Sequence, residues 1–415
     1  MKIAILHYSV APVVGGVEAV IQAHATLFCA AGFQVTLIAG AGDKQSVPEG
    51  VEFLQIPEMD SRHAQIMQVS QALEAGEVPE NFEAITLGLQ KSLQPALQPM
   101  DYVIVHNVFT KHFNLPLTAA LVRLLDQGGV KNCISWGHDF TWTSPHSRPM
   151  VHPGYPWDLL RSYREDVIYV TVSQQRQLEL TDLFGCPPER IHVIYNGVDP
   201  VEVYNLSEEG QALVRQLDLQ ETELILLMPV RVTQAKNIEL ALHVLAQLKA
   251  EGLHPKLVIT GPPDPHDTQN MAYFHSLLDL RQRLGLVNEA RFVYELGPHP
   301  DEGYTIGLPV VMELYRLCDV LFMPSHREGF GMPILEAGLT GLPIFSTQIP
   351  ATEEIGGQEV MRFSSDDPAG KVAELLINWA HTSMTQRLKQ RVRQKYTWQS
   401  IFTHDILPLL RGEMA

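Results

Sequence analysis

The chain has 415 residues, of which 45% are hydrophobic and 19% are charged, and its formal net charge is −17 at pH 7. This length exceeds what one hydrophobic core usually holds, so it predicts two domains of roughly 200 residues each. The acidic balance argues against nucleic acid as a partner, because nucleic-acid phosphates attract basic surfaces. It argues less strongly against docking on anionic lipid.

Apolar runs and cysteines indicate the cellular setting. No stretch of the sequence reaches the roughly 18 uninterrupted apolar residues that a membrane span needs, and the N-terminal apolar run is too short for a signal sequence. The four cysteines are scattered without C-x-x-C spacing. We therefore expect buried thiols in a reducing, cytoplasmic setting, with neither a disulfide framework nor a zinc site.

The N-terminal segment predicts the opening of a doubly wound α/β domain. Residues Lys2–His7 predict a buried parallel strand, a turn containing Gly15 and Gly16 follows, and a helix then runs to Ala31. A second strand at 33–39 completes a βαβ unit. Since there is no G-x-G-x-x-G pattern, a dinucleotide cofactor is not indicated. Taken alone, the paired glycines favour a plain tight turn over a ligand-binding loop.

Strands and helices continue to alternate through the first half. Predicted strands cover 101–106, 133–136, 167–172 and 191–195, and predicted helices cover 64–74, 82–93, 116–125 and 174–183. Open α/β sheets bind ligands at the carboxyl ends of their strands. Asn107 and Lys111 follow one predicted strand, and His138 and Asp139 follow the next. These four residues are therefore candidates for contact with a substrate.

The segment 140–157 is rich in aromatic residues and prolines. Aromatic faces stack well on sugar rings, so this loop is a candidate part of a substrate pocket. His146, His152 and Asp158 also suggest a metal cluster, but the prolines make the segment irregular. We expect no metal there.

The second half restarts the same pattern. Predicted strands cover 224–229, 256–260, 291–294, 320–323 and 344–347, and predicted helices cover 238–250, 272–284, 309–318 and 334–339, with a short helix from 352 and an amphipathic segment at 396–410. The polar segment 262–270 contains no D-x-D pair. Such a pair usually holds the divalent metal in folds that bind a nucleotide-sugar through one.

The most informative stretch is 324–343, which reads PSHREGFGMPILEAGLTGLP. A glycine-rich turn here joins the end of a buried strand to the start of a helix, with Pro333 predicted at the first helical position. Free backbone N–H groups and the positive end of the helix dipole favour a phosphate at such a place. Glu328 lies in the loop and Glu336 is predicted in the first helical turn, with seven residues between them. Both carboxylates can then face one bound molecule.

This stretch resembles the E-x7-E signature of retaining glycosyltransferases of family 4 (glycosyl transferases group 1), with a long, nearly gap-free match to E-G-F-G-x-P-x-L-E-A. The resemblance implies that Glu328 contacts hydroxyls of the donor sugar and that Glu336 contacts the nucleotide ribose. Arg231 and Lys236 are similar to the family's G-R-x4-K pair, which holds the donor diphosphate. The usual glycine before the arginine is Val230 here, which puts the shape of that loop in doubt.

Other positions match the family in the same way. The G-G-x-E segment from Gly15 and Gly16 to Glu18 is similar to its first loop, which approaches the donor diphosphate and the acceptor. His138 is similar to a histidine beside the reacting face of the donor sugar, and N-G-V-D at 196–199 resembles the interdomain turn. The implied sites are catalytic (His138, Glu328, Arg231, Lys236), donor-binding (Gly15, Gly16, Arg231, Lys236, Glu328, Gly329, Phe330, Gly331, Met332, Glu336) and acceptor-side (Glu18, Asn107, Lys111, Asp139).

The resemblance implies the α/β GT-B fold, in which two Rossmann-like doubly wound domains face each other across a cleft. We place the acceptor-side domain at 1–205, the donor domain at 206–395 and a helix that crosses back to the first domain at 396–415. The implied reaction is a retaining, metal-independent transfer of a hexose to an acceptor hydroxyl, in polysaccharide, glycolipid or glycoside biosynthesis. UDP-glucose is favoured as the donor, with GDP-mannose next, and no cofactor is expected.

Two other functions stay open. A sugar-nucleotide epimerase with the same fold would act without an acceptor, and a catalytically inactive partner subunit would keep the fold alone. Loss of charge at Arg231, Lys236 or Glu328 would favour the inactive subunit, but all three charges are present. The acceptor is a carbohydrate, a lipid-linked molecule or a small molecule, and the chain is expected to be a monomer or homodimer.

Overall fold

The computed structural model describes residues 1–220, 222–264, 270–297 and 303–413. The chain forms two compact units, one of residues 1–197 with the described residues from 398 onward, and one of residues 198–397. The division therefore falls inside the N-G-V-D turn and not at 205. The physical reason is that Val201 and Tyr204, which follow this turn, already pack against the core of the second unit.

The first unit contains a seven-stranded parallel sheet in the order β3-β2-β1-β4-β5-β6-β7. Its strands are β1 Lys2–Ser9, β2 Gln34–Ala41, β3 Glu52–Gln55, β4 Tyr102–His106, β5 Cys133–Gly137, β6 Val167–Thr171 and β7 Ile191–Val193. The sequence missed β3. This strand lies at the sheet edge and most of its side chains are exposed, so it lacks the apolar run that marks the other strands.

Helices cover both faces of this sheet. They are α1 Gly16–Ala30, α2 Ala64–Glu74, α3 Phe82–Leu97, α4 Leu115–Asp126 and α5 Gln174–Phe184. One apolar cluster joins the sheet to α3 and α4, and another joins its opposite face to α1 and the C-terminal segment. The strands are therefore buried on both sides, which explains their continuous apolar sequences.

The second unit contains a six-stranded parallel sheet in the order β10-β9-β8-β11-β12-β13. Its strands are β8 Leu224–Met228, β9 Pro255–Ile259, β10 Ala290–Phe292, β11 Val320–Met323, β12 Ile344–Thr347 and β13 Met361–Phe363. Its helices are α6 Pro200–Tyr204, α7 Glu208–Gln216, α8 Ile238–Ala250, α9 Asn270–Arg283, α10 Leu308–Leu317, α11 Met332–Thr340, α12 Pro350–Gly356, α13 Ala369–Thr382 and α14 Met384–Lys395. The strand predicted at 291–294 is shorter, since Val293–Leu296 forms a 3₁₀ turn.

Both sheets follow the Rossmann strand order, in which the direction of winding reverses beside the first strand. This topological switch point lies between β1 and β4 in the first unit and between β8 and β11 in the second. Loops at a switch point diverge and leave a crevice at the carboxyl ends of the strands. The loops that follow these four strands carry most of the predicted site residues.

The chain crosses between the units at two adjacent places. Gly197 lies against Trp398, and a Cβ at Gly197 would lie 2.8 Å from the backbone nitrogen of Trp398, so glycine permits the two segments to touch. After the second crossing, α15 Trp398–Ile401, a π-helical turn Phe402–Ile406 and α16 Leu407–Arg411 pack on the first unit. Within the described residues, none of the helices combines the length and the apolar character that crossing a bilayer requires.

A buried ion pair fastens α14 to the sheet of the second unit. Asp319, directly before β11, is fully buried and accepts hydrogen bonds from both terminal nitrogens of Arg393 at 2.9 and 2.7 Å. It also accepts one from the backbone N–H of Ile225 at 2.8 Å, and Lys389 lies 3.2 Å away. Burial opposes its ionisation, but Arg393 holds the pKa of Asp319 below its usual range.

Candidate functional site

The loops after β8 and β11 lie side by side in the second unit. The backbone N–H of His326 donates to the carbonyl of Ala235 at 2.9 Å, which ties the two loops together. Lys236 ends a 3₁₀ turn in the first loop, and Asn237 after it adopts a left-handed φ of 50° before α8 begins. These backbone features hold the Lys236 side chain beside the second loop.

Lys236 and Glu328 form a close ion pair. The Lys236 ammonium donates to both carboxylate oxygens of Glu328 at 2.7 Å, and Ser325 donates to the same carboxylate at 2.6 Å. The Glu328 side chain is 7% exposed and that of Lys236 is 20% exposed. The two residues are 92 positions apart in sequence, and the fold brings them together. Sequence reasoning did not identify Ser325 as a partner.

Arg231 is in a different environment. Its side chain is 58% exposed, and its guanidinium approaches Asp264 only at 3.8 Å. Val230 before it is buried in the core of the second unit, and its carbonyl accepts a hydrogen bond from the N–H of Gly261 at 3.1 Å. A Cβ at Gly261 would collide with that carbonyl. The valine that departs from the family pattern is therefore accommodated by the core, and Arg231 remains available to a ligand.

The glycine-rich turn leads directly into α11. Gly331 has φ of 96°, which favours glycine, and it is the N-cap without a side-chain hydrogen bond. Phe330 and Met332 are about half exposed, and apart from the two adjoining residues no described atom lies within 4 Å of a Cβ built at Gly329. Among the residues that the structure describes, no side chain caps the first N–H groups of α11, as an anion site requires.

The start of α11 corrects one prediction. The helix begins at Met332, not at Ile334, because the left-handed Gly331 caps it earlier, so Pro333 occupies the second helical position. Glu336 consequently lies in the second turn and not in the first. Its carboxylate accepts a hydrogen bond from the hydroxyl of the buried Tyr315 at 2.6 Å. Burial, and then the neighbouring Glu336, raise the pKa of Tyr315.

In the first unit, the loop after β1 places Glu18 in the opening turn of α1. Its carboxylate accepts a hydrogen bond from Ser9 at 2.6 Å. A Cβ at Gly15 would collide with the Glu18 carboxylate, whereas no described atom lies within 4 Å of a Cβ at Gly16. Gly15 therefore makes room for Glu18, and Gly16 leaves open space at the start of the helix.

Asn107 organises the loops after β4 and β5. It adopts a left-handed φ of 60°. Its side-chain oxygen accepts hydrogen bonds from the backbone N–H groups of His138 at 2.9 Å and of Asp139 at 3.4 Å. Asn107 thus holds the backbone of His138 and Asp139, two other predicted site residues, in place.

His138 is buried against a second histidine. Its Nε2 lies 3.0 Å from Nδ1 of His106, and the two rings are stacked with centroids 5.3 Å apart. Burial lowers the pKa of His138 to about 4, assisted by His7, and also lowers the pKa of His106. Both rings are therefore neutral at pH 7.

Lys111 lies in the loop after β4, at the carboxyl ends of the strands of the first sheet. Its side chain is largely buried, and its ammonium lies 4.9 Å from the centre of the Phe113 ring. Within the described ranges it forms no ion pair, and burial lowers its pKa although the nearby Asp139 opposes this effect. Asp139 instead lies 3.5 Å from Arg176, which also pairs with Glu179 at 2.6 Å.

Most of the aromatic rings in the segment 140–157 are buried. Phe140, Trp142 and Trp157 are buried in the cores of the first unit. The guanidinium groups of Arg148 and Arg161 also lie over the Trp142 ring, 4.4 and 4.0 Å from its centre. These three rings are therefore not available to stack on a sugar, whereas Tyr155 in the same loop is about half exposed, so a contribution of the loop to a substrate pocket stays a prediction.

Across residues 1–220, 222–264, 270–297 and 303–413, no group of three or more histidine, cysteine, aspartate or glutamate side chains could hold a metal ion. This includes His146, His152 and Asp158, which the sequence had suggested as an alternative. Metal independence of the reaction remains a prediction.

Both halves of the chain match known protein families. Residues 14–202 match the family model described as Glycosyltransferase Family 4, and residues 211–395 match the one described as Glycosyl transferases group 1. The two matched segments correspond closely to the two Rossmann-like units.

Individual proteins that resemble this chain are 30% identical to it or less in the three comparisons that follow. The uncharacterized glycosyltransferase MJ1607 of Methanocaldococcus jannaschii is 30% identical over 56% of this chain and 57% of its own length. The D-inositol 3-phosphate glycosyltransferase of Stackebrandtia nassauensis is 28% identical over 44% of this chain and 39% of its own length. The chain thus spans about half the length of these relatives or less. The glycogen synthase of Mycobacterium tuberculosis is 23% identical over 97% of this chain and 93% of its own length.

Proposed function

The chain belongs to glycosyltransferase family 4 (glycosyl transferases group 1), and from this premise we propose that it transfers a hexose from a nucleotide diphosphate sugar to an acceptor hydroxyl. One observation carries the proposal. At the switch point of the second sheet, an exposed arginine, a lysine–glutamate pair and a helix N-terminus without a side-chain cap occur on two adjoining loops. This combination suits a ligand that has both a diphosphate and sugar hydroxyls.

The chemistry explains why these residue types are needed. In the transition state the anomeric carbon becomes cationic while the departing diphosphate gains negative charge. The Arg231 guanidinium can bind phosphate oxygens in a bidentate manner, and the Lys236 ammonium supplies a compact positive charge. The N–H groups at the start of α11 add oriented dipoles. These groups would stabilise the leaving diphosphate without rearranging during the reaction.

The two glutamates differ in their surroundings, which supports different roles. Glu328 is held by Lys236 and Ser325, so its oxygens are fixed in position to accept hydrogen bonds from sugar hydroxyls. Glu336 lies in the second turn of α11, and its carboxylate is oriented by the Tyr315 hydroxyl. We assign Glu328 to the donor sugar and Glu336 to the ribose.

We assign the acceptor to the first unit. Lys111 is the strongest candidate contact, because an ammonium that is largely buried without an ion pair among the described residues favours a bound oxygen-rich group. Asp139 and Glu18 can accept hydrogen bonds from hydroxyls, whereas Asn107 acts by holding the loop. His138, which is neutral at pH 7, would contact the donor sugar by hydrogen bonding.

The proposal includes retention of the anomeric configuration, independence of metal ions and a preference for UDP-glucose, with GDP-mannose next. Purified full-length protein should be screened for stabilisation by a panel of nucleotide sugars, since ligands that bind the folded state raise the melting temperature. The best donor is then incubated with hydroxyl acceptors in the presence of EDTA, and nucleotide diphosphate release and product configuration are measured by NMR.

We expect release that depends on an acceptor, a retained configuration and no effect of EDTA. Donor conversion that proceeds without any acceptor would instead indicate an epimerase. No binding of any nucleotide sugar by a folded protein would contradict the proposal.

A further inference from the structure

Four buried histidines cluster at the carboxyl edge of the first sheet: His7, His24, His106 and His138. The closest contact in this cluster is the one between Nδ1 of His106 and Nε2 of His138, at 3.0 Å. Two ring nitrogens at this distance share one proton when both rings are neutral. The position of that proton decides which ring nitrogen His138 has left for a ligand.

Two arrangements are possible. If His106 donates from Nδ1, then His138 accepts at Nε2 and carries its own proton on Nδ1. If His138 donates from Nε2, then its Nδ1 is a bare lone pair and His106 must carry its proton on Nε2. The surroundings of His106 Nε2 distinguish these cases, because that atom is buried and has no hydrogen-bond partner among the described residues.

The surroundings of this histidine cluster already contain N–H groups without a hydrogen-bond partner among the described residues. Nε1 of Trp136 is a buried N–H without a partner, and His24, whose ring lies 4.7 Å from that of Trp136, has no partner for either ring nitrogen among the described residues. A proton on His106 Nε2 would add another unpaired N–H to this pocket. A lone pair there is the less costly alternative, because a buried acceptor without a partner is tolerated better in proteins than a buried N–H without one.

Contacts other than the hydrogen bond between the two rings hold His106 and His138 in place. His7 Nδ1 lies 2.9 Å from the carbonyl of His106, and since a carbonyl only accepts, His7 carries its proton on Nδ1. Asn107 holds the backbone N–H of His138 at 2.9 Å, and the Trp136 ring stacks on that of His106. The positions of the His106 and His138 rings relative to each other are therefore fixed by their surroundings. The folded protein, and not the free side chain, determines which tautomer His138 adopts.

We propose that His106 is a positioning residue that fixes His138 in the Nδ1–H tautomer, so that His138 offers a bound substrate a hydrogen-bond donor and not a lone pair. Free neutral histidine in water favours the Nε2–H form, so this state is imposed by the fold. His138 then donates to an oxygen of the bound sugar and does not act as a general base. The functional part of this inference rests on the proposed transferase activity.

The tautomer is measured by ¹⁵N NMR of ring-labelled full-length protein at pH 7. We expect the His138 proton on Nδ1 in the wild-type protein. His106→Leu removes the donor and releases His138 to the Nε2–H form, whereas His106→Asn keeps an N–H donor close to the position of Nδ1 and preserves the Nδ1–H form. His192→Leu, a change at a histidine on β7 outside the cluster, serves as the control and leaves the His138 signals unchanged.

Turnover should follow the tautomer. We expect kcat to fall roughly tenfold or more in His106→Leu, with most of it restored in His106→Asn. A wild-type His138 proton on Nε2 overturns the proposal even if His106→Leu does not fold. Equal turnover in the Leu and Asn variants, both folded, overturns the positioning role. An Nδ1–H tautomer in a protein without transferase activity leaves the tautomer assignment standing and refutes the proposed function instead.

Discussion

Replacement of Lys236 by methionine should destabilise the second unit as well as abolish activity, whereas Arg231→Ala should affect activity alone. Lys236 provides both hydrogen bonds from an ammonium to the Glu328 carboxylate, whose side chain is only 7% exposed. Methionine keeps the length of the side chain but leaves that carboxylate with Ser325 as its remaining partner among the described residues. Arg231 has no comparable buried partner among the described residues, where its guanidinium approaches Asp264 only at 3.8 Å.

The magnitude follows from the burial of the two groups. Loss of one partner from a fully buried ion pair costs roughly 3–5 kcal/mol. Lys236 is 20% exposed, and water can reach part of the vacated space. We therefore expect a loss of about 2 kcal/mol in the free energy of unfolding. For a domain of this size the melting temperature should fall by roughly 4–8 °C.

A double-mutant cycle separates the charge effect from other changes. In Lys236→Met/Glu328→Gln the buried charge is gone, so most of the lost stability should return, although activity should not. Unfolding is followed by calorimetry, because the two units can melt separately. If Lys236→Met melts like the wild-type protein, or if the double variant is as unstable as the sum of the single ones, the ion pair is not the buried contact that the structure describes.

Further predictions concern the other groups. Arg231→Ala should lower kcat about 10²–10³-fold with an unchanged melting temperature, measured by nucleotide release and calorimetry; a wild-type rate would exclude a role in phosphate binding. Arg393→Met should destabilise the second unit by about 3–5 kcal/mol in denaturant titrations, because Asp319 is left buried and charged, while the exposed Lys371→Met serves as a neutral control. Burial lowers the pKa of His24 from 6.5 to about 3, so the unfolded chain binds a proton below pH 6.5 that the folded chain does not. Stability should therefore fall as pH decreases from 6.5, by about 1.4 kcal/mol per pH unit for this group, and the pH slope of melting should be smaller in His24→Leu; an identical slope would show that His24 is not buried as a neutral ring.

The sequence predicted the alternating α/β architecture of both units, although not elements such as β3, β13, α13 and α14. Buried parallel strands leave continuous apolar runs, so 320–323 and 344–347 were predicted with the bounds that the structure has. The helix that follows the glycine turn ends at Thr340, one residue after the predicted end at 339, because Gly341 after it adopts a left-handed φ of 71°, which suits glycine. Edge strands such as β3 escaped prediction because their exposed side chains carry no such run.

Positions that depend on one backbone angle were predicted less accurately. The start of α11 was placed two residues too late because the left-handed Gly331, and not Pro333, determines where the helix begins. The same kind of local geometry ended the strand at Phe292 and began a 3₁₀ turn. A residue pattern does not specify these angles uniquely.

Contacts between distant residues could not be predicted at all. The sequence assigned Lys236 and Glu328 to separate parts of a substrate, and the structure adds that they bind each other. It likewise gave no sign that His106 pairs with His138 or that Asn107 holds the loop beside it. Trp142 and Trp157 looked suited to a sugar, but they pack in the core. Such contacts arise only when the strands have been brought into one sheet.

The central claim is that Arg231 and Lys236 bind the diphosphate of a nucleotide. Isothermal titration with nucleosides and their diphosphates tests this claim most directly, because the two kinds of ligand differ only in the diphosphate. We predict that the wild-type protein prefers one diphosphate to its nucleoside by a large factor, and that Arg231→Ala loses most of this preference while remaining folded. Equal affinity for both in the wild-type protein, or an undiminished preference in Arg231→Ala, would contradict the account.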